Sequence, residues 1–146
     1  MAEYVYNEIQ RVQPNQNVLL LDSIPCNRGY VLHRNGSGIL TLRGCVNGSG
    51  CFARYQVTAN MNIAVPSDGT VGPISVSLAI DGEPIQTSKA IFTPAAVGDF
   101  GNVGADIIVS VPCICRCASV SVRNTSTQPI DVQNANLVID FAGIRR

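Results

Sequence analysis

Tryptophan is absent from this 146-residue chain, charged residues make up only 14% of it, and histidine occurs once. Each shortage excludes something. With no tryptophan, four tyrosines and four phenylalanines, the chain has little to stack against sugar rings. A single histidine, His33, rules out a metal site built from two histidines of one chain. A Cys-His nucleophile pair needs a third group to orient it, and no carboxylate stands beside Cys26 or His33 in sequence. A hydrogen-bonded loop histidine is the plainer reading. Ten basic residues balance ten acidic ones, and Arg145-Arg146 is the only adjacent basic pair. A nucleic-acid binder normally shows a basic excess or stripe, because phosphate neutralisation supplies most of its affinity, so none is expected here.

Long hydrophobic runs are also missing. No segment approaches the roughly 20 apolar residues that span a bilayer, so no membrane partner is expected. The start, Met1 to Glu8, is acidic and has no apolar centre, unlike a secretory leader. The expectation is synthesis in a host cytoplasm and release, if any, by lysis inside a larger particle. Apolar residues nonetheless make up 46% of the chain. That is ample for one core at a length that suits a single domain spanning residues 1–146, with 1–15 read as an N-terminal arm. So much apolar and so little charged material implies that protein covers part of the surface, as in an oligomer.

The six cysteines are the sharpest chemical signal. In Cys113-Ile114-Cys115-Arg116-Cys117 the thiols alternate, so on a strand all three share one side. Cys45 and Cys51 flank a glycine-rich loop, and Cys26 stands alone. A zinc centre needs four converging ligands, which C-x-C-x-C on an extended strand does not provide by itself. Packed thiols are the first reading, a Cys45–Cys51 disulfide the second and a metal the third. Their redox state is open. No metal and no cofactor are expected.

Other constellations are weaker. Asp81 and Glu83 flank a turn glycine and read as solvated. Asp99 and Asp106 bound a glycine-rich stretch, but no D-x-D-x-D calcium loop is present. Gly98 to Gly104 lacks the Gly-Lys-Ser/Thr end of a phosphate loop and reads as a mobile surface loop. The sequons at Asn35, Asn47 and Asn124 read as turns. No catalytic set emerges, and no enzyme is expected.

The secondary-structure signal is β throughout. No segment sustains a period near 3.6, the first dozen residues being the longest candidate. Short apolar and β-branched runs are bounded by Gly, Pro, Asn and Asp: Asn17 to Ser23, Gly38 to Gly44, Cys51 to Val65, Ile74 to Ile80, Pro84 to Phe92, Asp106 to Val111, Ala118 to Asn124 and Asn136 to Phe141, with Ile130 to Gln133 as an addition. Alternation predicts one buried face from Val76, Leu78 and Ile80 and another from Leu137, Ile139 and Phe141. Asp81-Gly82 reads as a tight hairpin turn. The expectation is an all-β jelly-roll sandwich of about eight to ten strands.

In this order, Ile9 to Leu20, Ile39 to Gly44 with Ala53 to Val57, Ser75 to Pro84, Val120 to Asn124 and Ala135 to Ile139 resemble the trimeric jelly rolls of the tumour-necrosis-factor and complement-head superfamily. The likeness runs from about Gln10 to Ala142 and is one of pattern. Where the family has Gly-Xaa-Tyr, this chain carries an insertion-like loop, Gly44 to Phe52, which bears on local strand register. Cys26 to Tyr30 and Gln133 to Asn136 look most like versions carried in phage genomes of gut-type bacteria. The resemblance implies a homotrimer and a non-enzymatic virion role, as a head decoration or fibre head, with capsid proteins as further partners. A carbohydrate- or receptor-binding module on the same fold, engaging a host surface glycan, is the alternative.

Overall fold

The computed structural model describes residues 2–24, 31–33, 36–44, 52–112 and 117–145. Twelve strands lie in these segments: β1 Ala2–Tyr6, β2 Gln10–Val12, β3 Asp22–Ile24, β4 Val31–His33, β5 Leu40–Arg43, β6 Phe52–Ala64, β7 Ile74–Ile80, β8 Glu83–Pro84, β9 Ala90–Phe92, β10 Gly101–Pro112, β11 Cys117–Asn124 and β12 Ile130–Arg145. A single turn of 3-10 helix, Gln86–Ser88, interrupts the expected Pro84 to Phe92 run.

They form two antiparallel sheets. Sheet A runs β10-β6-β12-β1-β3, with β2 also beside β12; sheet B runs β4-β5-β11-β7-β8, with β9 also beside β7. Strands distant in sequence neighbour each other, as in a Greek-key sandwich. Within the stretch read as an N-terminal arm, β1 lies between β12 and β3 in sheet A.

Period-two alternation explains which side each strand buries. In β6, Tyr55, Val57, Ala59, Met61 and Ile63 point into the core while Gln56, Thr58 and Asn60 stay outside. Opposite them across the sandwich lie Leu40, Leu42, Val120, Val122, Val76 and Leu78, all buried. The two predicted faces are in place: Val76, Leu78, Leu137 and Ile139 are buried, with Ile80 and Phe141 packed against the same core. Strand β7 differs from the expectation of one buried face. Ser75, Ser77 and Ala79, its other face, are buried too.

Turn chemistry is local and legible. Asp81 and Gly82 have φ of 52° and 85°, a pair of positive values that makes the two-residue turn match the sheet's twist. β12 carries irregularities near its start at Gln133/Asn136 and near its end at Phe141/Gly143, where Asn134 (φ 55°) and Gly143 (φ 109°) take up the extra residue. The mobile loop expected over Gly98 to Gly104 is instead half strand. Gly101 opens β10 because Phe92 lies flat against it, and a Cβ there would sit 2.4 Å from the ring.

Candidate functional site

Sheet A offers a broad outer face. Its side chains fall into rows set by the strand register: Gly104, Asn60, Asn136 and Val5; Asp106, Thr58, Val138 and Glu3; Ile108, Gln56 and Asp140. Most polar groups in these rows bond sideways to one another. Asn102 Nδ2 donates to Asn60 Oδ1 at 2.6 Å and Asn62 Oδ1 at 3.1 Å. Gln56 Nε2 and Thr58 Oγ1 each donate to the Asp106 carboxylate at 3.2 Å. Asn136 Nδ2 donates to Glu3 Oε1 at 2.6 Å. Such lateral pairing leaves a flat surface with few groups seeking solvent.

At one side of this face runs β10, twelve residues that among the described residues pair only with β6, in an unbroken register. Its other edge has no ladder partner among the described residues, and β9 and the 3-10 turn Gln86–Ser88 lie beside it. Ile108 on this strand is 60% exposed. A shallow groove of about 480 Å³ runs alongside, lined by Ile80, Ile85, Ile107 and Thr87. Natural edge strands are blunted by charges, prolines or a covering segment; here Asp106 and Pro112 are on the strand, and β9 and the 3-10 turn Gln86–Ser88 run beside it.

Sheet B has a different exterior. Arg123 faces Ser77 across one ladder and Asn17 across the other, and its Nη1 donates to the Gly82 carbonyl. Ser77, Ala79 and Ser121 share this exterior side, and all three are buried.

The residues singled out from sequence do not converge. Of the cysteines, Cys117 is described; Cys26, Cys45, Cys51, Cys113 and Cys115 lie outside the described residues, and with them the Cys45–Cys51 alternative. Cys117 corrects the reading of packed thiols: it is exposed at the first position of β11, opposite Arg43, and is free. His33 packs its ring edge-on to Tyr4 with centroids 4.8 Å apart, and its Nε2 lies 3.0 Å from the Ser37 carbonyl. Burial pushes the Tyr4 hydroxyl up to about 12. Asp81 is exposed yet not merely solvated, since its Oδ1 accepts from the amide of Ser119 at 2.8 Å and from its hydroxyl at 3.3 Å. Asp106 belongs to the sheet A face, while exposed Asp99 precedes β10. No group of three or more His, Cys, Asp or Glu positioned for a metal occurs among the described residues. No helix among them is long and apolar enough to cross a membrane.

Sequence reasoning missed the part played by Asn124. It is fully buried; Nδ2 donates to the carbonyls of Val12 (3.0 Å) and Gln128 (3.1 Å), and Oδ1 accepts from the Ser126 amide (2.8 Å). The sequon is therefore a turn whose amide is fully engaged. An asparagine between a strand and the Thr125-Ser126-Thr127 cluster was the signal available.

The globular domain of zebrafish complement 1qA aligns over 99% of this chain and 98% of its own, with a TM-score of 0.63 and 11% identity. Eiger TNF from S. frugiperda aligns over 98% and 92%, with a TM-score of 0.70 and 10% identity. The fold is a TNF- and C1q-like jelly roll. A family 35 carbohydrate binding module from Clostridium thermocellum aligns with a TM-score of only 0.36 at 12% identity, over 92% of this chain and 90% of its own, a score too low to bear on the site. No protein-family model and no curated protein matches the sequence. At these identities the likeness concerns the jelly roll's architecture, not its chemistry.

Proposed function

We propose that this jelly roll is a non-enzymatic structural module that assembles into a homotrimer through the outer face of sheet A and the edge of β10, and that it serves as a decoration or fibre-head component of a phage particle. The observation that carries the assembly is the outer face of sheet A at β10, a long strand in regular register with Ile108 60% exposed beside a face whose polar groups are already paired laterally. Burying such a face requires little desolvation of unpaired groups, because donors and acceptors keep their partners. The shortage of charge and the resemblance to trimeric jelly rolls support the same reading, and the resemblance to phage-borne versions supports the place on a particle.

Light scattering tests the assembly. The intact protein should run near three times its 15.5 kDa. Ile108→Asp should yield folded monomer, while Leu32→Asp should remain trimeric, although Leu32 is 47% exposed, because β4 is the far edge strand of the other sheet. A monomeric parent protein, or a trimeric Ile108→Asp variant, overturns the assembly. Purified phage particles from the host carrying the gene, analysed by mass spectrometry, test the location; absence of the protein from them overturns it.

A further inference from the structure

The outer face of sheet A carries directional groups as well as its exposed isoleucine. On β10, Asn102 lies six residues before Ile108 and faces Asn62 across the ladder, while Gly104 faces Asn60. Asn60 and Asn62 point outward because alternation sends Ala59, Met61 and Ile63 into the core. One amide organises the other two. Asn102 Nδ2 has two N–H groups and uses both, one on Asn60 Oδ1 at 2.6 Å and one on Asn62 Oδ1 at 3.1 Å. The orientation of all three amides is thereby fixed. Asn60 Nδ2 and Asn62 Nδ2 are left as donors and Asn102 Oδ1 as an acceptor, none with a partner among the described residues. Gly104, exposed and without a side chain, leaves Asn60 open from the β10 side. Elsewhere on the face the donors reach carboxylates of the same chain: Gln56 and Thr58 bond to Asp106, and Asn136 to Glu3.

Apolar contact and directional bonding do different jobs in an interface. Burial of Ile108 drives association, but it is non-directional and tolerates many registers and copy numbers. A buried amide donor tolerates only those dockings that put an acceptor before it. Left bare, it weakens association about tenfold or more. One asparagine in a coiled-coil seam fixes register and strand number in this way, at a cost in stability. The distances allow the same here. The six residues from Asn102 to Ile108 span about 20 Å of strand. An interface of about 800 Å² per partner is roughly 30 Å across, so a contact that covers Ile108 reaches Asn102.

We infer that Asn60, Asn62 and Asn102 set the copy number of the assembly, admitting the trimer and excluding other associations of the same face. The inference rests on the sheet A reading above, with a second copy of this chain as the occupant. In the trimer the neighbouring copy supplies acceptors to the Asn60 and Asn62 amides and a donor to Asn102 Oδ1. In a shifted docking or a ring of another size these groups lose water and gain no partner. Two stranded donors at about tenfold each hold such associations down by about a hundredfold.

Native mass spectrometry of the intact protein and of an Asn60→Ala, Asn62→Ala double variant counts the copies directly. The parent should give trimer alone. The variant, with unchanged circular dichroism, should give dimers and larger rings beside the trimer, their share raised by about a hundredfold. The concentration at which its subunits separate should stay within a few-fold of the parent's. Asn102→Ala keeps both donors but frees their orientation, and should broaden the distribution as well; it decides the matter if the double variant fails to fold. Amide variants that remain pure trimer overturn the inference. So do variants that fall to monomer where the parent is trimeric, since the amides would then supply affinity rather than selection. Ile108→Asp separates this inference from the reading beneath it. If it is monomeric while the amide variants stay purely trimeric, the sheet A interface stands and the selection falls; a monomeric parent removes both.

Discussion

Replacing Asn124 with alanine removes one amide and strands three groups at once. The side chain is 0% exposed, and it satisfies the carbonyls of Val12 and Gln128 and the amide of Ser126. Two of these three bonds are buried and one is partly so. A buried group left without its partner costs about 1–3 kcal/mol. Water can reach the partly buried one, so the total should be about 3 kcal/mol, near the low end of the sum. For a domain of this size that corresponds to a fall in melting temperature of roughly 10 °C. Denaturant titrations of parent and variant, made at one protein concentration because assembly links stability to it, should show a lower midpoint at unchanged slope. Asn124→Asp is the sharper companion. It keeps the acceptor but turns the donor side into a carboxylate facing two carbonyl oxygens in a dry site. The introduced carboxyl should have a raised folded-state pKa, so its penalty is absent at low pH and grows as the pH rises through the range where the unfolded chain ionises. At neutral pH it should be less stable than Asn124→Ala. A loss below about 1 kcal/mol for the alanine variant, or an aspartate variant more stable than it at neutral pH, refutes the view that this amide holds its own turn together and ties it to the end of β2.

Leu78 is fully buried in the centre of β7, and Leu78→Asp should abolish folding by placing an unpaired charge in the core; a soluble variant with native circular dichroism would contradict this. Tyr4 sets a high-pH limit. Its hydroxyl is raised to about 12 in the folded protein against 10 in the unfolded chain, so this contribution is complete below pH 10 and is lost as pH rises towards 12. Tyr4→Phe should flatten the alkaline limb of the stability curve, and an unchanged limb would show another group responsible. Ser77 is 1% exposed, and its hydroxyl lacks a partner among the described residues. Ser77→Ala should be neutral or stabilising by up to about 1 kcal/mol, whereas clear destabilisation would place a bound water there. Finally, Cys117 should react with a thiol reagent in the native protein, and protection from it would contradict the exposure at the start of β11.

The sequence alone determined the class of this fold, because its information is local. Alternating Val76, Leu78, Ile80 and Leu137, Ile139, Phe141 can bury one side only as strands, and Asp81-Gly82 can turn only where positive φ is tolerated. The likeness of its ordered runs to the TNF and complement heads matches the architecture found. What depended on partners far along the chain was not legible. Gly101 looked like loop material until Phe92, nine residues earlier, lay across it. Ser75 and Ser77 alternated like solvent-facing residues, yet the segments beside β7 bury them. The first residues carried no strong strand pattern and became interior sheet because β12 and β3 flank them. The candidate surface is likewise tertiary. The sheet A face exists only once Asn102, Asn60 and Asn136 stand in register across three strands. Period-two alternation says which side of a strand faces out; only the packing of one strand on another decides what that side meets.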